Sequence, residues 1–206
     1  MKKSSFDYIC EKALPIDDTG KIAQYIHLTD EYIYPTICKD PQDEDWKKLI
    51  KECFLKEDSV FFWDYITVAK DGFGEIVGIL CAVPCGKRLT FSDGINVPHG
   101  LQDTLPSVNE GYFDPLVKET LEAEGYCITN VCVDEKHRGH GIGSRLLEYC
   151  VREYGDRVLF LDVIAHNENA IALYRKFGFE ITKEYYGFSG TEELLLCYQM
   201  VRLPLD

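Results

Sequence analysis

Apolar residues recur along the chain at two spacings, one typical of strands and one typical of helices. The chain is therefore predicted to contain both. Alternating or continuous apolar runs predict strands over 8–14, 61–70, 75–83, 126–133, 158–164, 179–185 and 193–201. Apolar stripes at helical spacing, some with capping residues before them, predict helices after Asp18, over 43–54, over 114–124, over 144–154 and after Asn167. Strands and helices in this mixture predict an α/β fold.

A glycine-rich turn joins the strand over 126–133 to the helix over 144–154. It reads R-G-H-G-I-G from Arg138 to Gly143. Glycines without side chains let an anion approach the backbone, and the following helix directs its free N–H groups at the same point. The spacing matches neither the dinucleotide fingerprint nor the Walker loop, which needs Lys and Ser or Thr directly after its last glycine. The turn therefore predicts a phosphate site, with a plain helix start as the alternative.

A second motif follows the next predicted strand and covers the helix after it. It reads N-E-N-A-I-A-L-Y-R-K-F-G-F from Asn167 to Phe179. Together with the turn, this motif resembles the GNAT superfamily of acyl-CoA-dependent N-acetyltransferases. The resemblance covers roughly the last third of the chain. It implies a mixed, mostly antiparallel, twisted sheet of about seven strands, flanked by helices and splayed between the fourth and fifth strands.

The same resemblance implies the roles of individual residues. The strand at Val131 would pair its backbone with the pantetheine arm of acetyl-CoA, and Tyr174 would protonate the departing thiolate. A phenol is protonated at neutral pH and suits that role. The implied contacts to the cofactor are made by Val131, Cys132, Val133, Arg138, Gly139, His140, Gly141, Ile142, Gly143, Asn167 and Tyr174. Asn167 also suits a helix cap, and Cys132 is more simply a core residue than a covalent acyl carrier.

Asp162 is the candidate general base. It is a carboxylate within an otherwise apolar strand, a placement that needs a physical reason. The Leu-acid-Val run locally resembles the ribosomal-protein N-terminal (alanine) acetyltransferases, in which a glutamate at this position is the base. A structural hydrogen bond is the alternative role. Further base candidates are Glu110, Glu124 and Glu192. The pair Tyr185-Tyr186 also resembles that family, where strand packing competes with binding of a peptide backbone.

Length and composition limit the organisation of the chain. With 206 residues and 46% hydrophobic content, one domain over 1–206 is expected. Its acceptor-side half would span 1–125 and its acyl-CoA-binding half 126–206. Residues 84–124 would form an inserted loop and helix, and the turn-rich part of that insert, 84–109, would be a substrate lid or a cover. The sequence leaves a monomer and a homodimer equally open.

The net charge and the cysteine content limit the classes of partner and ligand that are expected. The formal net charge of -13 disfavours nucleic acid and suits a cationic acceptor. Nine cysteines without paired spacing predict reduced thiols and no metal site. The N-terminus has no apolar signal region and no run is long enough to span a membrane, so a cytoplasmic location is expected.

The predicted function is transfer of an acetyl group from acetyl-CoA to a primary amine of a small molecule or peptide by direct nucleophilic attack. The alternative is a catalytically silent acyl-CoA-binding sensor or interaction module. An ATP-binding protein would need a magnesium-holding acid and a phosphate lysine, which the sequence does not offer at this turn. The identity of the amine stays open.

Overall fold

The computed structural model describes residues 7–29, 45–85, 125–188 and 194–204. The strands in this part of the chain are β1 (Ile9–Lys12), β2 (Ile66–Lys70), β3 (Ile76–Pro84), β4 (Gly125–Val133), β5 (Val158–Ile164), β6 (Glu180–Phe188) and β7 (Leu194–Arg202). The helices are α1 (Thr19–Thr29), α2 (Asp45–Phe54), α3 (Ile142–Tyr154) and α4 (Glu168–Lys176), with short 3-10 helices at Trp63–Tyr65 and Glu135–His137. The helix predicted over 114–124, most of the insert, and Glu110, Glu124 and Glu192 lie outside the described residues.

The seven strands form a single sheet in the order β1-β2-β3-β4-β5-β7-β6. Each neighbouring pair is antiparallel except β4 and β5, which run parallel. Strands from both predicted halves of the chain contribute to this sheet. The prediction of a mixed, mostly antiparallel sheet of about seven strands is confirmed.

The parallel pair separates part-way along its length. Pairing between β4 and β5 runs from Gly125 opposite Val158 to Ile128 opposite Leu161 and then stops. A bulge at Thr129 follows directly, because Ala82 pairs with Ile128 and the preceding Cys81 pairs with Asn130. Residues 129–133 of β4 and 162–164 of β5 therefore border an opening, called here the gap. The predicted splay between the fourth and fifth strands is confirmed.

Helices cover the sheet on both sides and bury two apolar clusters. On the α1 face, α1 and α2 pack their apolar stripes on β2 and β3, with Tyr25, Ile26 and Phe54 fully buried. On the α3 face, α3 and α4 pack on β3, β4, β5 and β7, with Leu146 and Phe179 in the centre. These stripes recur at the spacing from which the helices were predicted. The gap thus lies between two helix-covered faces.

The strand predicted over 61–70 is wrong in its first half. Residues before Ile66 form turns and the first 3-10 helix, and β2 begins only at Ile66. The Ser59 side chain accepts a hydrogen bond from the Phe61 amide at 3.1 Å, and the Ser59 carbonyl accepts one from the Phe62 amide at 3.2 Å. Local bonds of this kind compete with strand pairing, so an apolar run alone did not make a strand.

Gly125 marks the point of closest approach between β4 and β5. A Cβ there would lie 2.3 Å from the Val158 carbonyl oxygen, whereas a Cβ at Gly72 would have no atom within 4 Å. We expect Gly125→Ala to lower the free energy of unfolding by about 1–3 kcal/mol, because the clash separates the paired ends of the two strands. Chemical denaturation measures the loss, and Gly72→Ala serves as the matched control with no effect. Equal stability of the two variants would contradict this account of the β4–β5 contact.

Candidate functional site

The glycine turn has the conformation that its sequence predicts. Gly139 and Gly141 have φ of 77° and 80°, a region that favours glycine. A Cβ at either position would meet no protein atom within 4 Å, so the turn faces open space. Gly141 is the N-cap of α3 and supplies no side-chain cap. The first N–H groups of α3 therefore point outward from the turn as donors for an anion.

Gly143 differs from the other two glycines of the turn, because its lack of a side chain lets three elements pack closely. A Cβ at this position would lie 3.3 Å from Cδ2 of Leu173 and 3.9 Å from Cγ2 of Val133. The start of α3, the middle of α4 and the end of β4 thus meet at one point, and Tyr174 directly follows Leu173. The two motifs of the sequence are joined in space by this contact.

The side chains of the turn hold the turn itself. Arg138 Nε donates to the carbonyl of Val133 at 3.2 Å. His140 Nδ1 lies 3.2 Å from the carbonyl of His137 and 3.0 Å from that of Arg138. Ile142 is buried in the core on the α3 face, so it offers only its amide to a ligand. Arg138 and His140 are exposed, but both are bonded to carbonyls of the same stretch.

Tyr8, which lies just before β1, packs against the glycine turn. The Tyr8 hydroxyl lies 3.3 Å from Nδ1 of His137, and the ring packs against His137 and His140 with centroids 6.0 and 6.4 Å away. Arg145 donates from Nη1 to the Tyr8 carbonyl at 3.3 Å. These contacts join residues 129 or more positions apart, so no local pattern in the sequence predicts them.

Beyond the bulge, β4 directs main-chain groups into the gap. The Asp134 amide donates to the Val77 carbonyl. Hydrogen-bonded and non-bonded pairs alternate in an antiparallel ladder, so Cys132 bonds to β3 while Val131 and Val133 turn their N–H groups the other way. The Cys132 side chain is 7% exposed on the α1 face. Burial raises the pKa of its thiol to about 11, which keeps it protonated.

Tyr174 lies on the α3 face of the gap. Asn167 caps α4 by accepting the Ala170 amide at 3.2 Å, and this cap fixes the start of the helix that carries Tyr174. The Tyr174 side chain is 9% exposed and its ring packs on Phe179, 6.0 Å away. Burial raises the pKa of the phenol to about 12, so Tyr174 keeps its proton across the neutral range.

Asp162 lies on the opposite side of the sheet. It is the first residue of β5 after pairing with β4 has ended, and its neighbours Leu161 and Val163 point into the α3-face core. Side chains alternate along a strand, so the Asp162 carboxylate faces the α1 side, where both its oxygens are buried. Burial first, and then the Asp162 charge, raise the pKa of the Cys127 thiol well above its usual value.

A chain of polar side chains at the bulge, with Asn130 buried at its centre, was not predicted. Thr129 Oγ1 donates to Asn130 Oδ1 at 2.9 Å, Asn130 Nδ2 donates to Thr29 Oγ1 at 2.6 Å, and Thr29 Oγ1 donates to the Ile26 carbonyl at 2.7 Å. Asn130 is only 7% exposed. The chain ties the end of α1 to the strand that borders the gap. An asparagine within an apolar strand was the available signal.

Within the described ranges, no three His, Cys, Asp or Glu side chains come together as a metal-binding group. No helix among these residues has the length and apolar character that crossing a bilayer requires.

A family model described as Acetyltransferase (GNAT) family matches residues 23–179. The chain belongs to the GNAT acetyltransferase family. The resemblance inferred from the two motifs is thereby confirmed, together with the prediction that the chain is an N-acetyltransferase. Enzymes of the GNAT family take the acetyl group from acetyl-CoA.

Two curated acetyltransferases are each similar to about a third of the chain. The chain is 36% identical over 70 residues to N-alpha-acetyltransferase RimI of Mycobacterium tuberculosis, which is 32% of this chain and 44% of that protein. It is 33% identical over 88 residues to a Bacillus subtilis protein named for ribosomal protein bS18-alanine N-acetyltransferase activity, which is 35% of this chain and 58% of that protein. The chain therefore spans less than two thirds of the length of these curated relatives.

Solved GNAT structures share the fold over almost the whole chain. An N-acetyltransferase from Staphylococcus aureus Mu50 aligns with a TM-score of 0.71 at 18% identity, covering 94% of this chain and 99% of that one. The NatC complex bound to Gag peptide and CoA contains a chain that aligns with a TM-score of 0.56 at 17% identity, covering 97% and 99%. At such low identity the likeness shows the fold alone.

The described residues fit the phosphates and thioester arm of acetyl-CoA. The turn leaves open space over Gly139 and Gly141, where the N–H groups at the start of α3 face outward. The N–H groups of Val131 and Val133 continue this row of donors into the gap. Acetyl-CoA supplies an activated acyl thioester.

The role of the turn has a test that separates backbone strain from ligand contact. Gly141 and Gly74 have φ of 80° and 83°, and a Cβ at either would meet no protein atom within 4 Å. We expect Gly141→Ala to weaken acetyl-CoA binding by tenfold or more, while Gly74→Ala in the β2–β3 hairpin leaves it unchanged. Both variants carry a similar backbone cost of about 1 kcal/mol. Calorimetric titration with acetyl-CoA measures the difference, and equal affinities would show that the turn does not contact the ligand.

Proposed function

We propose that this protein transfers the acetyl group of acetyl-CoA to a primary amine by direct nucleophilic attack at the gap between β4 and β5. One observation carries the proposal. Tyr174, a protonated phenol, lies on the α3 face of the gap, while the buried Asp162 carboxylate lies on the α1 face. A proton donor on one side and a proton acceptor on the other suit a transfer in which amine and thiolate occupy opposite sides of one carbonyl.

Each proposed group performs one task. Asp162 accepts the proton of the attacking ammonium, directly or through a water molecule. The N–H groups of Val131 and Val133 stabilise negative charge on the carbonyl oxygen, because they are held in place by the β3–β4 ladder before the reaction begins. As the C–S bond breaks, Tyr174 donates its proton to the leaving thiolate, and the second proton released by the new amide nitrogen restores the phenol through solvent. Asn167 fixes the helix that carries Tyr174. The amine and the thioester react as bound neighbours.

Three observations support an acceptor that carries positive charge, including the N-terminal amine of a peptide. The chain has a formal net charge of -13, which attracts cations. Two relatives are named for acetylation of protein α-amines. A structural neighbour is described as bound to a peptide and CoA. Peptide α-amines are thus the first acceptors to test, followed by small-molecule amines.

A catalytically silent acyl-CoA sensor is the second candidate. Such a protein would bind acetyl-CoA at the same turn without turnover. The buried, protonated Tyr174 favours the enzyme, because a sensor has no need of a proton donor beside the gap. The single-domain organisation over 1–206 and the cytoplasmic location remain predictions alongside the proposed reaction.

The proton donor is tested by Tyr174→Phe, which keeps the ring packed on Phe179 and removes only the hydroxyl. We expect turnover to fall about a hundredfold or more while acetyl-CoA affinity stays nearly unchanged, because the lost interaction acts on the leaving thiolate. Tyr154→Phe is the matched control, since Tyr154 packs on Tyr126 at the opposite end of β4, with ring centroids 4.1 Å apart. Thiol release with a panel of peptides and amines measures turnover. Wild-type rates in Tyr174→Phe would remove this residue from the mechanism.

The proton acceptor is tested by Asp162→Asn, which keeps the shape of the side chain and removes its charge. We expect turnover to fall at least tenfold at neutral pH and to recover partly at high pH, where the free amine no longer needs a base. Acetyl-CoA affinity, measured in the same preparation, should match the wild type. A uniform loss at all pH values would indicate a structural role for the carboxylate instead.

A further inference from the structure

Asp162 and Tyr185 lie on the same face of the sheet, two strands apart. On β7, Gln199 pairs with Asp162 of β5 and Cys197 pairs with Ile164. Cys197 also pairs with Tyr185 of β6. Side chains directly opposite one another in a sheet point to the same face, so the row containing Tyr185 is the neighbour of the row containing Asp162. Both side chains are therefore on the α1 face.

The Tyr185 side chain is long enough to cross β7 diagonally and reach the carboxylate. Strands lie about 4.8 Å apart and the two rows about 7 Å apart along the strands, so the Cα atoms of Asp162 and Tyr185 are roughly 12 Å apart, and the two side chains together span most of that distance. Tyr185 is half-buried and both Asp162 oxygens are buried. Burial, followed by the charge and hydrogen bonding of Asp162, raises the pKa of the Tyr185 phenol. The phenol thus keeps its proton and can donate a hydrogen bond to Asp162.

We propose that Tyr185 is a positioning residue for Asp162, whose carboxylate it holds ionised and aimed along the α1 face by donating a hydrogen bond. The inference rests on the proposed function, in which Asp162 is the base. It gives Tyr185 a role distinct from strand packing and from binding the acceptor backbone. A hydrogen bond to the charged form of a carboxylate favours that form, so removing the donor makes the carboxylate easier to protonate.

Other groups on the described strands face the same carboxylate and enter the design of the test. Lys183 shares the Gln199 row on β6, Cys197 lies on β7, and Cys127 lies on β4. Cys127 stays a neutral thiol because burial raises its pKa well above the usual value. Lys183 is exposed, so its field is screened by salt, whereas a buried hydrogen bond is not. Measurements at low and high salt therefore separate Tyr185 from Lys183.

The test is the pH dependence of kcat in Tyr185→Phe, with acetyl-CoA and acceptor saturating so that the profile reports the bound complex. We expect the acidic limb of kcat to move to higher pH by about one unit, at both salt concentrations, with the plateau within about threefold of the wild type. Tyr186→Phe is the matched control. Tyr186 is 68% exposed and points to the other face of β6, so its acidic limb should not move. A raised KM for the acceptor with an unmoved acidic limb would overturn the proposal and favour an acceptor-binding role.

A second readout keeps the inference independent of turnover. Carbon-13 NMR of protein labelled at aspartate carboxyls follows Asp162 directly, and its signal is assigned by its loss in Asp162→Asn. In Tyr185→Phe this carboxylate should titrate at higher pH than in the wild type. A shifted titration in a protein without acetyltransferase activity supports the contact and removes the proposed function. An unchanged titration in an active enzyme overturns the positioning role alone.

Discussion

The site depends on one broken interaction, the end of hydrogen bonding between β4 and β5 after Ile128 and Leu161. Up to that pair, the main-chain N–H and C=O groups of the two strands bond to each other. Beyond it, the facing main-chain groups need another hydrogen-bond partner. The bulge at Thr129 turns β4 away, and the chain from Thr129 through Asn130 to Thr29 anchors the diverging strand to α1. An edge opened inside a sheet would be costly if nothing filled it. A ligand with amide groups of its own, such as a pantetheine arm, meets this need.

The two faces of the sheet beside the gap carry different chemical groups. The α3 face carries the glycine turn, the cap at Asn167 and the Tyr174 phenol, which belong to the donor side of the proposed reaction. The α1 face carries the Asp162 carboxylate and its neighbour Tyr185, which belong to the acceptor side of that proposal. Burial keeps both phenols protonated, because desolvation disfavours the phenolate. The two proton-transfer tasks are thus assigned to residues that the sheet keeps apart.

Sequence patterns predicted most of this fold because the relevant signals are local. The order of strands and helices, the positive-φ glycines and the motif from Asn167 to Phe179 each lie within a short stretch. The features that were wrongly predicted or not predicted depend on competing local hydrogen bonds or on residues far apart in the sequence. Local hydrogen bonds to Ser59 favour turns where the first half of a strand was predicted. The bulge at Thr129 depends on the register with β3, a different strand. The contact of Tyr8 with His137 and the proposed contact of Asp162 with Tyr185 join remote residues, so no spacing along the chain reveals them.

The burial of Cys132 has a consequence for the fate of the acyl group. This thiol lies in the strand beside the expected thioester, where an ordinary cysteine would compete with the amine by thioester exchange. Burial raises the pKa of the Cys132 thiol to about 11, so far less of it is thiolate at neutral pH than the few per cent of a free cysteine. A thioester bound in the proposed way would therefore lose little of its acyl group to this sulfur, although the sulfur stays in the core.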